Sequence, residues 1–194
     1  MPTKYEWCYA LYNKIVKRII SGNQQLASFW SVSHGWAPDE AAELMSKSRL
    51  DWQVELSEAL YLWSSDELKD GQLILAWANL GALIEGTLKL FLAVYYMDYK
   101  GDAKNFKKKG KLIEPDSLAL EKLKQFFKKK GLLSDEQVSH IELVQQRRNA
   151  IHAFKDRPIG TKNEYHECVS KYLELMIDIN NSLPYPDSIY GPNF

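Results

Sequence analysis

Apolar residues recur every three or four positions along most of the chain, which is the spacing of an amphipathic helix. The first segment of this kind carries Tyr5, Cys8, Leu11, Tyr12, Ile15, Val16 and Ile19. It predicts a helix from Thr3 to Ile20, and the triplet Ser21-Gly22-Asn23 is a stop signal after it. A second helical pattern begins at Pro38 and continues to Trp63, with a break near Ser46–Ser48. These patterns predict an all-α chain.

The longest apolar segment, from Ser65 to about Tyr99, predicts the central helix of the fold. Its run from Leu73 to Met97 is long enough to cross a bilayer. Asn79, Glu85 and Lys89 lie near its middle, and each would be costly in lipid, so we expect no membrane span. Two glycines in this segment lower its helix propensity and indicate that another backbone comes close: Gly81 and Gly86.

The densest chemistry of the chain lies on the helix that the capping box Ser134-Asp135-Glu136-Gln137 opens. At 100° per residue, one side of this helix carries Val138, Ile141, Val144 and Ile151. Arg148 falls near the middle of that side and His152 follows about 40° away, so both are expected to face the core and to need a partner or a ligand. Arg147 points elsewhere, and it approaches His152 only if the helix loosens in the segment 154–160.

Glu85 in the central helix has two candidate partners. An ion pair with Lys89, one turn further along the same helix, would be a modest surface contact. A contact across the bundle with Arg148 or Arg147 would instead orient a guanidinium group and satisfy buried charges on two helices at once. The sequence leaves both interpretations open.

Between Asp98 and Gly131 the composition becomes basic, and phenylalanines are interleaved with the lysines. Lysine with exposed aromatic rings suits single-stranded nucleic acid, which offers phosphates and stackable bases. The predicted RNA-binding residues are Lys107, Lys108, Lys109, Lys128, Lys129 and Lys130. The alternative is an ordinary soluble face, because the helix predicted from about Asp116 also carries a core-facing stripe of leucine and phenylalanine.

A last helix is predicted from about Asn163 to Ser182, and the proline-containing tail after it cannot be helical. The predicted architecture is an up-and-down bundle of about five to seven helices. We divide it into N-terminal helices over residues 1–64 that pack on the bundle, a helical core over residues 65–182, and an extended tail over residues 183–194.

Charge and cysteine content narrow the function classes. The 25 basic and 25 acidic residues cancel, so no global field draws the chain to nucleic acid or to a membrane. Cys8 and Cys168 are too few and too far apart for a disulfide framework or a zinc ribbon, which fits a reducing, cytoplasmic setting. The N-terminus lacks the apolar run of a secretion signal. His166 lies two positions from Cys168, but no second pair completes a metal site and no glycine-rich phosphate loop is present, so we expect no metal and no cofactor.

Arg147, four intervening residues, His152, one further residue and the aromatic Phe154 resemble the signature of the HEPN superfamily. That signature is an arginine, four to six residues and a histidine near the end of a helix in a small helical bundle. Arg148 followed by Asn149 better matches the polar residue that often follows the family's arginine, but this register leaves three residues before His152. Some members carry tyrosine where this chain has Phe154, which leaves no phenol hydroxyl at that position.

The resemblance implies a HEPN-like core and a metal-independent endoribonuclease. Ribonucleases of this superfamily are usually homodimers in which two arginine–histidine motifs face each other across the interface. Many relatives act as toxins or in phage defence, often with a nucleotidyltransferase-type antitoxin as partner.

Three hypotheses follow for the function. The first is a homodimeric ribonuclease in which His152 transfers protons, because an imidazole titrates near neutral pH, and Arg147 or Arg148 stabilises the phosphate charge. Asn149 would then be a positioning donor, and Glu85 would orient the arginine. The second is a non-catalytic HEPN-like module for dimerisation or for binding RNA or a partner, in which the motif is a structural polar layer. The third is a helical protein outside the family, with an accidental buried arginine–histidine network.

Overall fold

The computed structural model describes residues 4–65, 67–152, 154–187 and 190–194, with side chains from Tyr9 onward. Within these residues the α-helices are α1 (Lys4–Trp30), α2 (Asp39–Ser46), α3 (Leu50–Glu58), α4 (Asp70–Val94), α5 (Tyr96–Gly101), α6 (Leu120–Lys130), α7 (Asp135–Arg148) and α8 (Lys162–Asn181). Short 3₁₀ helices cover Ala59–Trp63, Pro115–Ser117 and Asn149–Ile151, and the strands β1 (Lys107–Lys108) and β2 (Lys111–Leu112) pair in antiparallel fashion. The prediction of an all-α fold is confirmed.

α4 forms the centre of the bundle. It contacts α2, α3, α6, α7 and α8, and its residues Trp77, Leu80, Leu83 and Ile84 have no exposed surface. A helix that is apolar on nearly every side needs neighbours on nearly every side, and the other helices provide them. By length and composition α4 could cross a membrane, but 61% of its most apolar window is buried inside the protein, as in the core helix of a bundle.

α1 is longer than the sequence predicts. The stop expected at Ser21-Gly22-Asn23 is wrong, because the helix continues through this triplet to its end at residue 30. Gly22 provides space rather than a turn, since a Cβ there would lie 2.2 Å from Cε1 of Phe194. Asn23 donates its side-chain amide to the carbonyl oxygen of Ile19 (3.1 Å), so its polar group is satisfied inside the helix.

Two further predicted helical regions agree with the structure, whereas the segment predicted as one helix to about Tyr99 is divided into α4 and α5, and the helix predicted from about Asp116 begins at Leu120. The pattern from Pro38 to Trp63 is confirmed, with its break at residues 47–49 between α2 and α3, and the last predicted helix is α8. The segment 183–187 is not helical, as expected, but it does not simply lie on the surface. Leu183 is buried, and Tyr185 accepts a hydrogen bond from the indole of Trp30 on α1 (3.0 Å).

The basic segment contains a β-hairpin that the sequence analysis missed. β1 and β2 are joined by Lys109 and Gly110, whose φ angles are 52° and 80°. Two consecutive residues with positive φ form the tight turn that suits the twist of a two-stranded hairpin. The Lys-Gly pair was a weak signal for this turn, because glycine adopts positive φ without steric cost.

Gly81 and Gly86 on α4 make room for side chains. A Cβ on Gly81 would lie 2.6 Å from Cδ of Arg148, and a Cβ on Gly86 would lie 2.2 Å from Oε1 of Gln53. The predicted close approach of another backbone is therefore wrong, because the near neighbours are side chains of α7 and α3. At Gly81 the missing side chain lets Arg148 lie directly against α4.

Candidate functional site

α7 presents the predicted motif, and local sequence determines where it begins. The Ser134 hydroxyl accepts a hydrogen bond from the Gln137 N–H (3.2 Å), and the Gln137 side chain accepts one from the Ser134 N–H (2.9 Å), so the predicted capping box is confirmed. α7 packs along α4, and its buried residues include Val138, Ile141 and Val144. The helix ends at Arg148, where the 3₁₀ turn 149–151 begins.

Arg148 is held against α4 by two acceptors. Its Nη1 donates to Oε2 of Glu85 (3.2 Å) and to the carbonyl oxygen of Gly81 (3.4 Å). The expectation was that Arg148 needs a partner or a ligand, and Glu85 across the bundle is such a partner; 31% of the Arg148 side chain remains exposed. A guanidinium group has five donors, and the contacts within the described residues use Nη1 alone. Within the described residues Nη2 forms no hydrogen bond, while Nε lies against Gly81 of α4.

Glu85 contacts both of the partners that the sequence left open. Its Oε1 pairs with Nζ of Lys89 (2.9 Å), while Oε2 pairs with Arg148. Burial raises the pKa of the Glu85 carboxyl, but the hydrogen bonds and charges of Lys89 and Arg148 lower this pKa by a larger amount. The pKa of Glu85 therefore lies below its ordinary value. The carboxylate is therefore ionised at neutral pH and joins one cation of α4 to one of α7.

Arg147 is held on another side of α7. Its Nη1 donates to the carbonyl oxygen of Pro158 (2.8 Å), and its Nη2 donates to both carboxylate oxygens of Glu164 (2.8 and 3.2 Å). Gly160 has a φ of 70°, and a Cβ there would lie 2.0 Å from Oε2 of Glu164, so glycine leaves space for this ion pair. Arg147 thus ties α7 to the first turn of α8, and His152 is not among its partners in the described residues.

His152 is exposed, which corrects the expectation that it faces the core. Ile151, also assigned to the core-facing side, is 48% exposed. The reason is the tighter 3₁₀ turn over residues 149–151, because the extrapolation at 100° per residue fails once the α-helix has ended at Arg148. No described residue forms a hydrogen bond with the His152 ring, so the imidazole is open to a ligand or to a second chain.

The two remaining motif residues have few contacts. Asn149 is half-buried, and its carbonyl oxygen accepts a hydrogen bond from the His152 N–H (3.3 Å). Within the described part of the chain its side-chain amide has no hydrogen-bond partner, so the predicted positioning role has no visible acceptor. Phe154 is fully exposed, with a relative exposure of 108%.

The predicted RNA-binding lysines are exposed and gather at the end of the bundle where α4 gives way to α5. The hairpin of Lys107–Lys109 is attached there, since Tyr99 on α5 donates its hydroxyl to the carbonyl of Ile113 (2.9 Å). At the end of α6, Lys130 pairs with Asp102 just after α5 (2.5 Å). α7 begins beside this end and runs 14 residues to the motif, a distance of about 20 Å at 1.5 Å per residue. One monomer therefore does not bring these lysines and the motif into one cluster.

Two buried polar residues were missed by the sequence analysis of site chemistry. His140 on α7 is buried against the carbonyl oxygen of Cys168 on α8 (3.0 Å from Nε2), and burial lowers its pKa to about 4. Lys124, which lies in the basic segment on α6, is 8% exposed and pairs with Glu121 (2.9 Å) and Glu142 (3.2 Å). Both residues lie one helical turn from apolar core residues of their own helices, and this spacing could have predicted that their side chains are buried.

The described residues contain no group of three or more His, Cys, Asp or Glu side chains that could hold a metal ion. His166 stacks on the ring of Tyr12 with centroids 4.0 Å apart, and burial raises the pKa of the Cys168 thiol to about 11. Comparison of the chain with protein families, with curated proteins and with solved structures finds no match.

Proposed function

We propose that this protein is a metal-independent endoribonuclease of the HEPN type. One observation carries the proposal: the exposed His152 ring follows Arg148 by four positions, and the Arg148 guanidinium is already held by Glu85 and Gly81. Fixing the guanidinium in advance lowers the entropic cost of presenting its free donors to a ligand. A guanidinium group held in place and an exposed imidazole are the groups that cleavage of a ribose-phosphate linkage needs.

RNA cleavage through the 2′-hydroxyl has three requirements. A base removes the hydroxyl proton, a cation stabilises the phosphorane, and an acid protonates the leaving 5′-oxygen. In our proposal, Arg148 binds the phosphate through Nη2, and His152 performs one of the two proton transfers. Arg147 supports the site indirectly, because its ion pair with Glu164 fixes the end of α7.

The second proton transfer is assigned to His152 of a second copy in a homodimer. Ile151 and Phe154, close to His152 on either side, are 48% and 108% exposed, and apolar residues of this kind are enriched at the centres of protein interfaces. In this proposal the RNA reaches the motif from the lysine-rich end of the bundle. By the family resemblance, we further propose a cytoplasmic toxin or phage-defence component with a nucleotidyltransferase-type antitoxin as partner.

RNA cleavage in EDTA tests the catalytic proposal. Purified protein should cleave a structured RNA without added metal, and His152→Ala should abolish cleavage without changing the melting temperature. His34→Ala is the matched control, because His34 is also exposed and lies on a different part of the chain. Equal cleavage by the His152→Ala and His34→Ala proteins would eliminate the proposal.

Sedimentation velocity tests the dimer separately. Ile151→Asp combined with Phe154→Asp should convert a dimer to a monomer and reduce cleavage at the same time, because charges are costly in an apolar interface. Leu62→Asp is the control, since Leu62 is 68% exposed on a different element. A monomeric wild-type protein with full activity would contradict the two-copy site.

A non-catalytic HEPN-like module is the second candidate, and the ion pairs favour it. Arg147 and Arg148 are each bound to a carboxylate of another helix, which is the arrangement expected of a structural polar layer. This candidate predicts that replacing Arg148 lowers stability strongly, that RNA stays intact, and that His152→Ala changes only assembly. The cleavage assay and a melting curve on the same samples therefore separate the two functions.

A further inference from the structure

A cleft lies between the α2–α3 segment and the C-terminal half of α4, apart from the motif. Its volume is about 420 Å³, within the range of roughly 300–1,000 Å³ that is usual for small-molecule sites. Leu44, Leu50, Leu90 and Pro115 form much of its wall. A wall of this kind favours a ligand with a flat or apolar body over a small ion.

Three cations contribute to the polar lining of the cleft. Lys47, Arg49 and Lys89 line it together with Ser48, Gln53 and Asp116, and each cation pairs with a carboxylate, namely Glu43, Asp51 and Glu85. Lys89 uses one contact on Glu85, which leaves other donors of its ammonium group, and Arg49 binds Asp51 through Nε and Nη2, which leaves Nη1. These remaining donors can bind an anionic group on the ligand.

An aromatic ring stands at the same cleft. Trp52 lines it and is 53% exposed, and the guanidinium carbon of Arg49 lies 3.8 Å from the centroid of its ring. Arginine stacked on tryptophan makes a planar, cationic platform on which a nucleobase stacks well. Apolar wall, free cationic donors and an aromatic platform together match the parts of a nucleotide.

The cleft is also connected to the motif. Lys89, in its lining, pairs with Glu85, and Glu85 pairs with Arg148. Residues four apart on a helix share a face, so this line of charges runs along one side of α4. From Lys89 to Gly81, where Arg148 is bound, the helix rises about 12 Å at 1.5 Å per residue. A short RNA segment placed on the motif can therefore reach the cleft.

We infer that this cleft binds a nucleotide, with the base on Trp52 and the phosphate at Lys89 and Arg49. The nucleotide is either a residue of the RNA substrate, next to the cleaved linkage, or a free mononucleotide. The first form deepens the proposed ribonuclease function and rests on it, whereas nucleotide binding itself does not require cleavage.

Isothermal titration calorimetry with two probes tests the inference. One probe is AMP, and the other is a 2′-O-methyl tetraadenylate, which resists cleavage through the 2′-hydroxyl. Trp52→Ala should weaken binding about tenfold or more, the size expected for the loss of one base stack. Trp36→Ala is the matched control, because Trp36 is 46% exposed and lies outside the cleft lining. Circular dichroism should show that both variants are folded.

The outcomes separate this inference from the ribonuclease proposal. Equal affinity of the two probes identifies a free nucleotide as the ligand, and tighter binding of the oligonucleotide identifies an RNA segment. AMP binding at the cleft does not require cleavage, so a protein without ribonuclease activity can still support the inference. No binding of either probe at about 1 mM, or equal affinity of the Trp52→Ala and Trp36→Ala proteins, overturns it.

Discussion

Glu85→Gln is the most direct test of how the motif helix is attached to the core. The amide keeps the shape of the side chain but removes the charge that pairs with both Lys89 and Arg148. The two cations then keep their positions near each other without the carboxylate between them. We therefore expect a loss of stability even though no atom is removed from the core.

The burial of the three groups determines the size of this effect. The side chains of Glu85, Arg148 and Lys89 are 20%, 31% and 27% exposed, so they are neither surface charges nor fully buried ones. Exposed pairs contribute about 0.2–1 kcal/mol, while breaking a buried pair costs about 3–5 kcal/mol. We expect Glu85→Gln to cost about 2 kcal/mol, which for a domain of this size lowers the melting temperature by about 4–8 °C.

A double-mutant cycle with Arg148→Met isolates the contact across the bundle. The coupling should be about 1 kcal/mol at neutral pH. Because the folded-state pKa of Glu85 is lowered, the pair stabilises the fold above the carboxyl's unfolded pKa and loses this contribution as the pH falls through the folded pKa. Glu43→Gln is the control, since the Glu43–Lys47 pair is well exposed, and it should leave the melting temperature unchanged. A cycle with no coupling at pH 7 would refute the view that this pair holds α7 on α4.

Three further predictions concern other parts of the same arrangement. Gly81→Ala should destabilise the wild type, because the new Cβ would lie 2.6 Å from Cδ of Arg148. In an Arg148→Ala protein the same substitution should increase stability by about 1 kcal/mol, because alanine has the higher helix propensity. A change of the same sign in both proteins, measured by urea unfolding, would contradict this. Burial lowers the pKa of His140 to about 4, below its unfolded value near 6.5, so the unfolded state binds the proton first. Stability should therefore fall by up to about 3 kcal/mol as the pH decreases from 6.5 to 4, and His140→Gln should remove this dependence in pH-resolved denaturant titrations. Replacing Lys128–Lys130 by glutamine should weaken RNA binding. The slope of the logarithm of the binding constant against the logarithm of the salt concentration should fall by about 0.7 for each phosphate that the protein no longer neutralises. An unchanged slope would show that these lysines form an ordinary solvent-exposed face.

The spacing of apolar residues was sufficient to predict the main helices of the bundle and the position of Arg148 in the candidate site. The apolar spacing located α4 and α7, and the position of Arg148 on the core-facing side of α7 correctly required a partner across the bundle. Glu85 could be named as a candidate for that partner, beside the alternative pair with Lys89, because a carboxylate inside a long apolar helix is costly without a partner. These inferences hold because they depend on residues within one regular helix.

Predictions failed where tertiary contacts override the local signal. Gly22 indicates a stop, but it lies inside α1 because Phe194, far away in the sequence, needs the space that a Cβ would fill. His152 was extrapolated from a helix that in fact ends at Arg148, where the tighter turn begins. The cleft at Trp52 combines residues from three separated segments, and no spacing along the chain predicts such a site.

The contrast within the motif itself decides how its function should be tested. Both arginines are bound to carboxylates of other helices, so replacing either one perturbs the fold and reports on structure as well as on chemistry. The His152 ring is exposed and has no hydrogen-bond partner among the described residues. Truncating such a side chain normally changes stability by less than about 0.5 kcal/mol. A strong effect of His152→Ala can therefore come only from a ligand, a second copy of the chain or a reaction, and this makes His152 the residue that separates a ribonuclease from a structural module.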